Sequence, residues 1–224
     1  MRKGFSVSVR LKHLWKDEGG AALIEFTAAA FTFFLLVLGV VEFSNLYYQW
    51  NAATKAVQLG ARLAAVSNPV ANDLLTMTGM TGGALPGGIM PTFDRVCTSS
   101  NASGSSGACT NNNSYNASAM QTIVYGRGKT ACAAATSDRD VGMCNIFPRI
   151  NALNVRVQYQ YTGLGYAGRP GGPVPTITVS LAGTTRLTYD FILIGGLMNF
   201  NPIQIPGFAT TATGEDLRKN ATGS

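Results

Sequence analysis

The sequence predicts an α+β fold, in which a long N-terminal helix crosses a membrane, continues beyond it and packs against a small antiparallel sheet. Three observations support this prediction. A 23-residue apolar run extends from Gly19 to Val41, helical periodicity continues to Val66, and the last third of the chain alternates with period two. The 224 residues are enough for one ordinary domain and an anchor.

The apolar run is long enough to cross a bilayer as a helix, which needs about 20 residues. Its only charged residue is Glu25. A carboxylate within a span costs roughly 2.5–3.5 kcal/mol to insert, so it normally has a partner or a task. Glu42 directly follows the run at its outer edge, and we expect no special role for it.

The helix is predicted to continue past the membrane. The residues expected at the outer membrane interface are Phe43, Tyr47, Tyr48 and Trp50. The apolar positions that then recur at spacings of three and four are Ala52, Ala56, Leu59, Leu63 and Val66. The matching polar stripe is Asn51, Lys55, Gln58 and Arg62. No proline interrupts 21–66, and Ser67-Asn68-Pro69 is a stop signal.

A basic segment precedes the apolar run and contains Arg2, Lys3, Arg10, Lys12 and Lys16. Because Asp17 and Glu18 offset two of these charges, the first 20 residues carry +3 of the net +6. No basic stripe follows the span. The leader is therefore interpreted as a positive-inside signal that keeps the N-terminus in the cytoplasm, and nucleic acid is not an expected partner.

The candidate cleavage point lies at Gly20, before the apolar run, so cleavage would leave the span on the mature protein. A secretory signal differs, because its cleavage site follows a short apolar core. The predicted organisation is a leader over 1–20, a transmembrane helix over 21–43, a helix extension over 44–66 and an extracytoplasmic β-rich domain over 67–224.

Strands are predicted in the last third. Two stretches alternate between apolar and polar residues, over 155–161 and 177–181. A third strand is expected within 203–212, and 186–193 is expected to be a strand or a short helix. Residues 68–120 are expected to be loops with one short helix near 72–77, because Gly, Ser, Asn and Thr dominate there.

Four cysteines follow the span, namely Cys97, Cys109, Cys132 and Cys144. An even count in an oxidising compartment indicates disulfides. Three pairings are formally possible, and pairing of successive cysteines is favoured because short loops close easily. A zinc site is disfavoured, since no CxxC pair or nearby histidine is present.

The chain lacks the residues that most catalytic sites need, so we expect no enzymatic activity and no cofactor. The only histidine is His13, within the leader, which excludes serine and cysteine hydrolase triads from a cleaved chain. Asp138-Arg139-Asp140 pairs two carboxylates but lacks the glycine and distal glutamate of a calcium loop. A solvated loop is the favoured interpretation there.

Glu25 is the one residue with an expected chemical task. Cleavage after Gly20 would make Ala21 the first residue and expose its α-amino group. That amine on one subunit is predicted to pair with Glu25 of a neighbour in lipid and to set their axial register. The alternative is a glutamate that stays protonated or hydrated through local thinning of the bilayer.

The segment Gly20-Ala21-Ala22-Leu23-Ile24-Glu25-Phe26 resembles the cleavage motif of type IVb prepilins, with a glycine, four small or apolar residues and then glutamate with an aromatic residue. Over about 20–66 the chain is similar to the TadE family of minor pilins, or pseudopilins, of the tight-adherence (Tad, Flp) pilus. Ala21 stands where type IVa pilins have Phe, and Phe26 stands where major Flp pilins prefer Tyr.

The resemblance implies a pilus-assembly protein of the bacterial inner membrane, with a cytoplasmic N-terminus and a periplasmic domain. Its implied partners are a prepilin peptidase, other major and minor pilins, the inner-membrane pilus assembly machinery and the lipid bilayer. A second hypothesis is an anchored extracytoplasmic binding module, with a site in the loops of 79–118 and an uncleaved leader. The N-terminal residue of the native protein discriminates between them.

Overall fold

The fold was derived from a computed structural model that describes residues 18–80, 83–111, 114–193, 195 and 201–214. The basic residues of the leader, His13 and the polar tail after Gly214 lie outside the described residues. The fold class is α+β, with a long apolar N-terminal helix and a small antiparallel sheet, which confirms the predicted class.

The described helices are α1 (Glu18–Val66), α2 (Ala117–Tyr125) and α3 (Met143–Ile146). Short 3₁₀ turns lie at Asn72–Leu75, Asp138–Asp140 and Ala152–Asn154. The first four strands are β1 (Asp94–Ser99), β2 (Gly107–Cys109), β3 (Arg156–Gln160) and β4 (Thr176–Ser180). The last three are β5 (Thr188–Tyr189), β6 (Ile203–Gln204) and β7 (Ala209–Thr213).

The main sheet has five strands in the order β2-β1-β3-β4-β7, and every neighbouring pair is antiparallel. In its centre Val157 pairs with Val179 and Tyr159 with Ile177, and all four side chains are fully buried. The residues between them are half-buried. The period-two pattern in 155–161 and 177–181 thus predicted both strands and their buried face correctly. Strands β5 and β6 form a separate two-stranded sheet.

Other parts of the sheet differ from the prediction. Strands β1 and β2 lie within 68–120, which was expected to be loops, because their polar residues hide the alternation. Their place is set by partners distant in sequence: β1 pairs with β3, and Gln158 donates a hydrogen bond to Asp94 Oδ1 at 2.9 Å. The single strand expected over 203–212 is divided into β6 and β7 by Pro206-Gly207, and the element expected over 186–193 is only the two-residue β5.

The chain divides into two compact units, one formed by Met1–Asn45 with Phe191–Asn201 and the other by Leu46–Asp190 with Pro202–Ser224. The boundaries predicted at residues 20, 43 and 66 do not follow this division, and they stay predictions.

Helix α1 ends at Val66, as the stop signal predicted, and small residues form its buried stripe within the second unit. The stripe consists of Ala53, Ala56, Val57, Gly60, Ala61 and Ala64. It differs from the predicted apolar stripe, since Leu59 and Leu63 are only half-buried and Val66 is half-exposed. A Cβ at Gly60 would lie 2.6 Å from Met143 Sδ of α3, so a larger residue there would require the Met143 side chain to shift. The polar stripe is exposed, as predicted.

Tyr159 connects the segment after α1 to the sheet. Its hydroxyl oxygen accepts a hydrogen bond from the Val70 backbone N–H at 2.9 Å, and both residues are fully buried. Burial raises the pKa of Tyr159, so the hydroxyl stays neutral. The bond satisfies a buried backbone donor that water cannot reach.

We expect Tyr159→Phe to lower the free energy of unfolding by about 1–3 kcal/mol, because the Val70 N–H loses its acceptor while remaining buried. Urea unfolding of the full chain in detergent micelles measures the difference. The control is Tyr166→Phe, since Tyr166 is 46% exposed. Equal stability losses in the two variants would contradict the structural role of the Tyr159 hydroxyl.

Candidate functional site

The candidate site is the apolar part of α1, over 20–41. Helix α1 is long and apolar enough to cross a membrane, and none of its most apolar 18-residue window is buried inside the protein. A core helix of a soluble domain would be mostly buried instead. This helix is therefore a candidate single-pass membrane anchor. Its large exposed side chains, between 58% and 74% accessible, include Leu23, Ile24, Phe26, Phe33, Phe34, Leu36 and Val40.

Three side chains within 21–41 are polar, namely Glu25, Thr27 and Thr32. The Thr27 hydroxyl donates to the Leu23 carbonyl at 2.7 Å, and the Thr32 hydroxyl donates to the Ala28 carbonyl at 3.0 Å. Both threonines thus satisfy their own hydrogen-bonding needs within the helix. Glu25 is exposed, and the described part of the chain provides it with no hydrogen bond or ion pair. Glu25 is thus the polar group of this segment for which the described residues supply no partner.

Gly20 and Ala21, the residues on either side of the predicted cleavage point, are exposed in the first turns of α1. A Cβ at Gly20 would meet no atom within 4 Å. A glycine within a helix destabilises that helix by about 1 kcal/mol relative to alanine. Because no atom lies close to Gly20, packing within the described residues does not explain why a glycine occurs here. Helix geometry alone places Gly20, Ala21, Glu25 and Phe26 along two turns of a surface that the described residues leave exposed.

Glu42 has a structural task, and the expectation that it needed none was wrong. Its side chain is only 2% exposed. The backbone N–H of Ile192 donates to Oε1 at 2.8 Å, and that of Leu193 donates to Oε2 at 2.7 Å. Both carboxylate oxygens therefore bind a segment that returns from far along the chain to the end of the apolar run. Charge-assisted bonds of this length are among the stronger ones in proteins.

The face of α1 that carries Glu42 is also the least exposed face of the span. Leu38 and Leu35 precede Glu42 by four and seven residues, and both are half-buried, whereas Leu36, Val40 and Val41 are exposed. Residues four and seven apart share one side of a helix. Sequence reasoning missed this face because the donors to Glu42 lie 150 residues away. The absence of charge between Asp190 and Glu215 was the signal that could have indicated it.

The four cysteines form two disulfides, Cys97–Cys109 and Cys132–Cys144, each with a sequence separation of 12. Cys97 and Cys109 are directly paired residues of β1 and β2. Cys144 is buried in α3, and Cys132 lies in the exposed loop before it. The thiols are thus held in covalent crosslinks of the second unit, and they are not available as nucleophiles or metal ligands.

The carboxylates at Asp138 and Asp140 lie in an exposed 3₁₀ turn. The Thr136 hydroxyl donates to Asp140 at 2.7 Å, and this bond contributes most to a lowered pKa of Asp140. No group of three or more metal-ligating side chains gathers anywhere in the described ranges.

The aromatic residues that follow the span have two environments. Tyr47 and Tyr48 are each 71% exposed, which suits a membrane interface. Trp50 packs against Phe208, with ring centroids 5.6 Å apart. It also lines a small apolar cleft with Leu46, Tyr189, Ile203, Ile205 and Pro206. The structure thus shows packing for Trp50, and the location of Tyr47 and Tyr48 at a membrane interface stays a prediction.

We expect Glu42→Ala to increase the amide hydrogen exchange rate of Ile192 and Leu193 by at least about tenfold, because two charge-assisted acceptors are lost and 1.4 kcal/mol corresponds to a factor of ten. Exchange is followed by NMR or mass spectrometry in micelles. The matched control is Glu25→Ala, which removes an exposed glutamate of the same helix. Unchanged rates at both amides in Glu42→Ala would show that other groups hold the segment.

Comparison with known proteins shows which family the N-terminal segment is similar to. Residues 20–62 match the family model described as TadE-like protein. A search of curated proteins found no match, and a search of solved structures found none either. The matched segment begins at the predicted cleavage glycine and covers most of α1. The resemblance expected from the Gly20–Phe26 motif is thereby confirmed, and the helical N-terminal segment of this chain is similar to that of TadE-like proteins.

Proposed function

We propose that this chain is a membrane-anchored minor pilin, or pseudopilin, that takes part in the assembly of a Tad/Flp adhesive pilus. The TadE-like match associates the chain with the Tad pilus. The observation that carries the finer proposal is Glu25, a carboxylate on the uncovered apolar surface of α1 with no partner among the described residues.

The first step of the proposal is cleavage by a prepilin peptidase after Gly20. Water adds across the Gly20–Ala21 peptide bond, residues 1–20 leave with a new carboxylate, and Ala21 retains a protonated α-amino group. Gly20 suits this step because it is exposed and has no Cβ, so the backbone is open to a protease. The apolar helix stays on the mature protein and continues to anchor it.

The second step is lateral association of helices in the bilayer. The α-amino group of Ala21 on one subunit pairs with Glu25 of a neighbour, because each charge is costly in lipid when it has no partner. The two groups are four residues apart, so the pair staggers adjacent helices by about 6 Å at 1.5 Å per residue. The next turn of the helix contains Ala28, Ala29 and Ala30, and small residues allow such helices to approach closely.

The second unit suits a location outside the cytoplasm. Its two disulfides persist in an oxidising compartment, which agrees with a periplasmic domain and a cytoplasmic N-terminus. Proposed partners are the prepilin peptidase, other major and minor pilins and the inner-membrane assembly machinery. The TadE-like family is not known as enzymatic, and no catalytic activity is proposed for this chain.

The competing hypothesis, an anchored binding module, predicts a different N-terminus. A simple signal anchor would keep residues 1–20, so native protein beginning at Met1 would favour that hypothesis. The loops assigned to its binding site also contain β1 and β2, which reduces the length of free loop in 79–118.

We expect Gly20→Leu to block maturation, because a bulky side chain would occupy the proposed peptidase site. N-terminal sequencing and gel mobility of the protein from its native membrane measure this effect. The matched control is Ala29→Leu, the same kind of enlargement in the same helix but outside the motif. Mature protein that begins at Ala21 in both variants would refute the proposed cleavage point.

Glu25→Leu tests the assembly step separately. We expect this variant to be cleaved normally while pilus number falls at least about tenfold, the factor for about 1.4 kcal/mol of lost pairing energy. Pili are counted by electron microscopy in a strain whose only copy is the variant. Glu25→Asp keeps the charge and is expected to restore part of the assembly. Wild-type pilus number in Glu25→Leu would show that the carboxylate has no role in assembly.

A further inference from the structure

We propose that the chain has a second membrane-contacting element, the segment Phe191–Leu193, which lies against the lipid beside the C-terminal end of the apolar run and is held there by Glu42. The ligand is the bilayer itself, at the border between acyl chains and headgroups. This inference goes beyond the proposed pilus function, and it depends only on α1 being a membrane helix.

The first argument is exposure at the correct place. Ile192 is 67% exposed and Leu193 is 43% exposed, although both are large apolar residues. Their backbones are bound to Glu42, which directly follows the last residue of the run, Val41. The exposed surface of α1 continues to this point, since Val41 is 50% and Phe43 is 66% exposed. The segment and the span therefore present one continuous apolar surface.

The second argument is the hydrogen bonding of the backbone. Ile192 and Leu193 lie in a bend, so they have no helical carbonyl partners for their N–H groups. A water-exposed loop could leave these donors to solvent. Backbone that faces lipid must be satisfied by protein, because each unpaired group costs several kcal/mol there. Glu42 accepts both bonds, at 2.8 Å and 2.7 Å, and is itself almost completely buried.

The third argument is charge and depth. No charged residue occurs between Asp190 and Glu215, so no charge in this part of the sequence opposes contact with lipid. Leu38 and Leu35 share the face of Glu42 and are half-buried, so the covered face extends into the span. Lipid is favoured over a second protein because the surface is continuous with the anchor.

The test uses single added cysteines labelled with the fluorophore NBD in the full-length, oxidised chain. The described residues contain no free thiol, so an added cysteine is the labelling target. The positions are Ile192→Cys, Phe34→Cys within the span, and Ile89→Cys in the second unit. Ile89 is the matched control because it is an isoleucine with 82% exposure. Each labelled protein is reconstituted into phosphatidylcholine vesicles that carry nitroxide-labelled lipids at shallow or deep positions.

We expect blue-shifted emission at position 192 and quenching by the shallow nitroxide, quenching by the deep nitroxide at position 34, and neither effect at position 89. Adding Glu42→Ala to Ile192→Cys is expected to abolish the shallow quenching, because the segment loses its anchor. The same loss is not expected on adding Glu25→Ala.

Three results would overturn the proposal. Quenching at position 34 without quenching at position 192 would refute the second membrane contact, while α1 would remain a membrane helix. Blue-shifted emission at position 192 without quenching would show that protein, and not lipid, covers the segment. Absence of quenching at position 34 would show that α1 does not cross the bilayer, and this inference would fail because it depends on that helix. None of these outcomes depends on peptidase cleavage or on pili, so failure here is distinguishable from failure of the proposed function.

Discussion

The described residues cover almost none of the apolar half of α1, and this constraint governs the first unit. In lipid, every polar group that water would normally satisfy must find a protein partner. The two threonines of the span bond within the helix, and Glu42 binds two backbone donors of a distant segment. For Glu25 the described residues supply no partner, and the proposed one is a neighbouring subunit. One physical requirement thus separates structural polar residues from the candidate functional one.

The second unit is held together by different means. Its part of α1 packs through alanines, one valine and Gly60, so neighbouring elements approach closely and long apolar side chains contribute little there. Its sheet has a single alternating buried face, and the Cys97–Cys109 disulfide joins two directly paired residues of β1 and β2. Such a short covalent loop restrains the unfolded chain and stabilises an edge strand of only three residues.

The proposed function rests on the N-terminal segment 20–62, which begins in the first unit and ends in the second, whereas the rest of the second unit carries little chemical information. An exposed carboxylate, a glycine that packing does not require and a matching family segment all lie within 20–62. The second unit presents a small apolar cleft and an acidic turn, and no group of three or more metal-ligating side chains occurs in its described part.

The sequence by itself determined the elements whose periodicity is local: the long helix with its end at Val66, strands β3 and β4, and the motif around Glu25. The family resemblance came from the same N-terminal segment. Strands β1 and β2 and the shifted stripe of α1 were decided by the tertiary structure, because polar strands and small residues leave no strong periodic signal. Glu42 shows this limit most clearly. Its neighbours in sequence mark only the end of a span, and its task comes from two backbone donors 150 residues away, which only folding brings into contact.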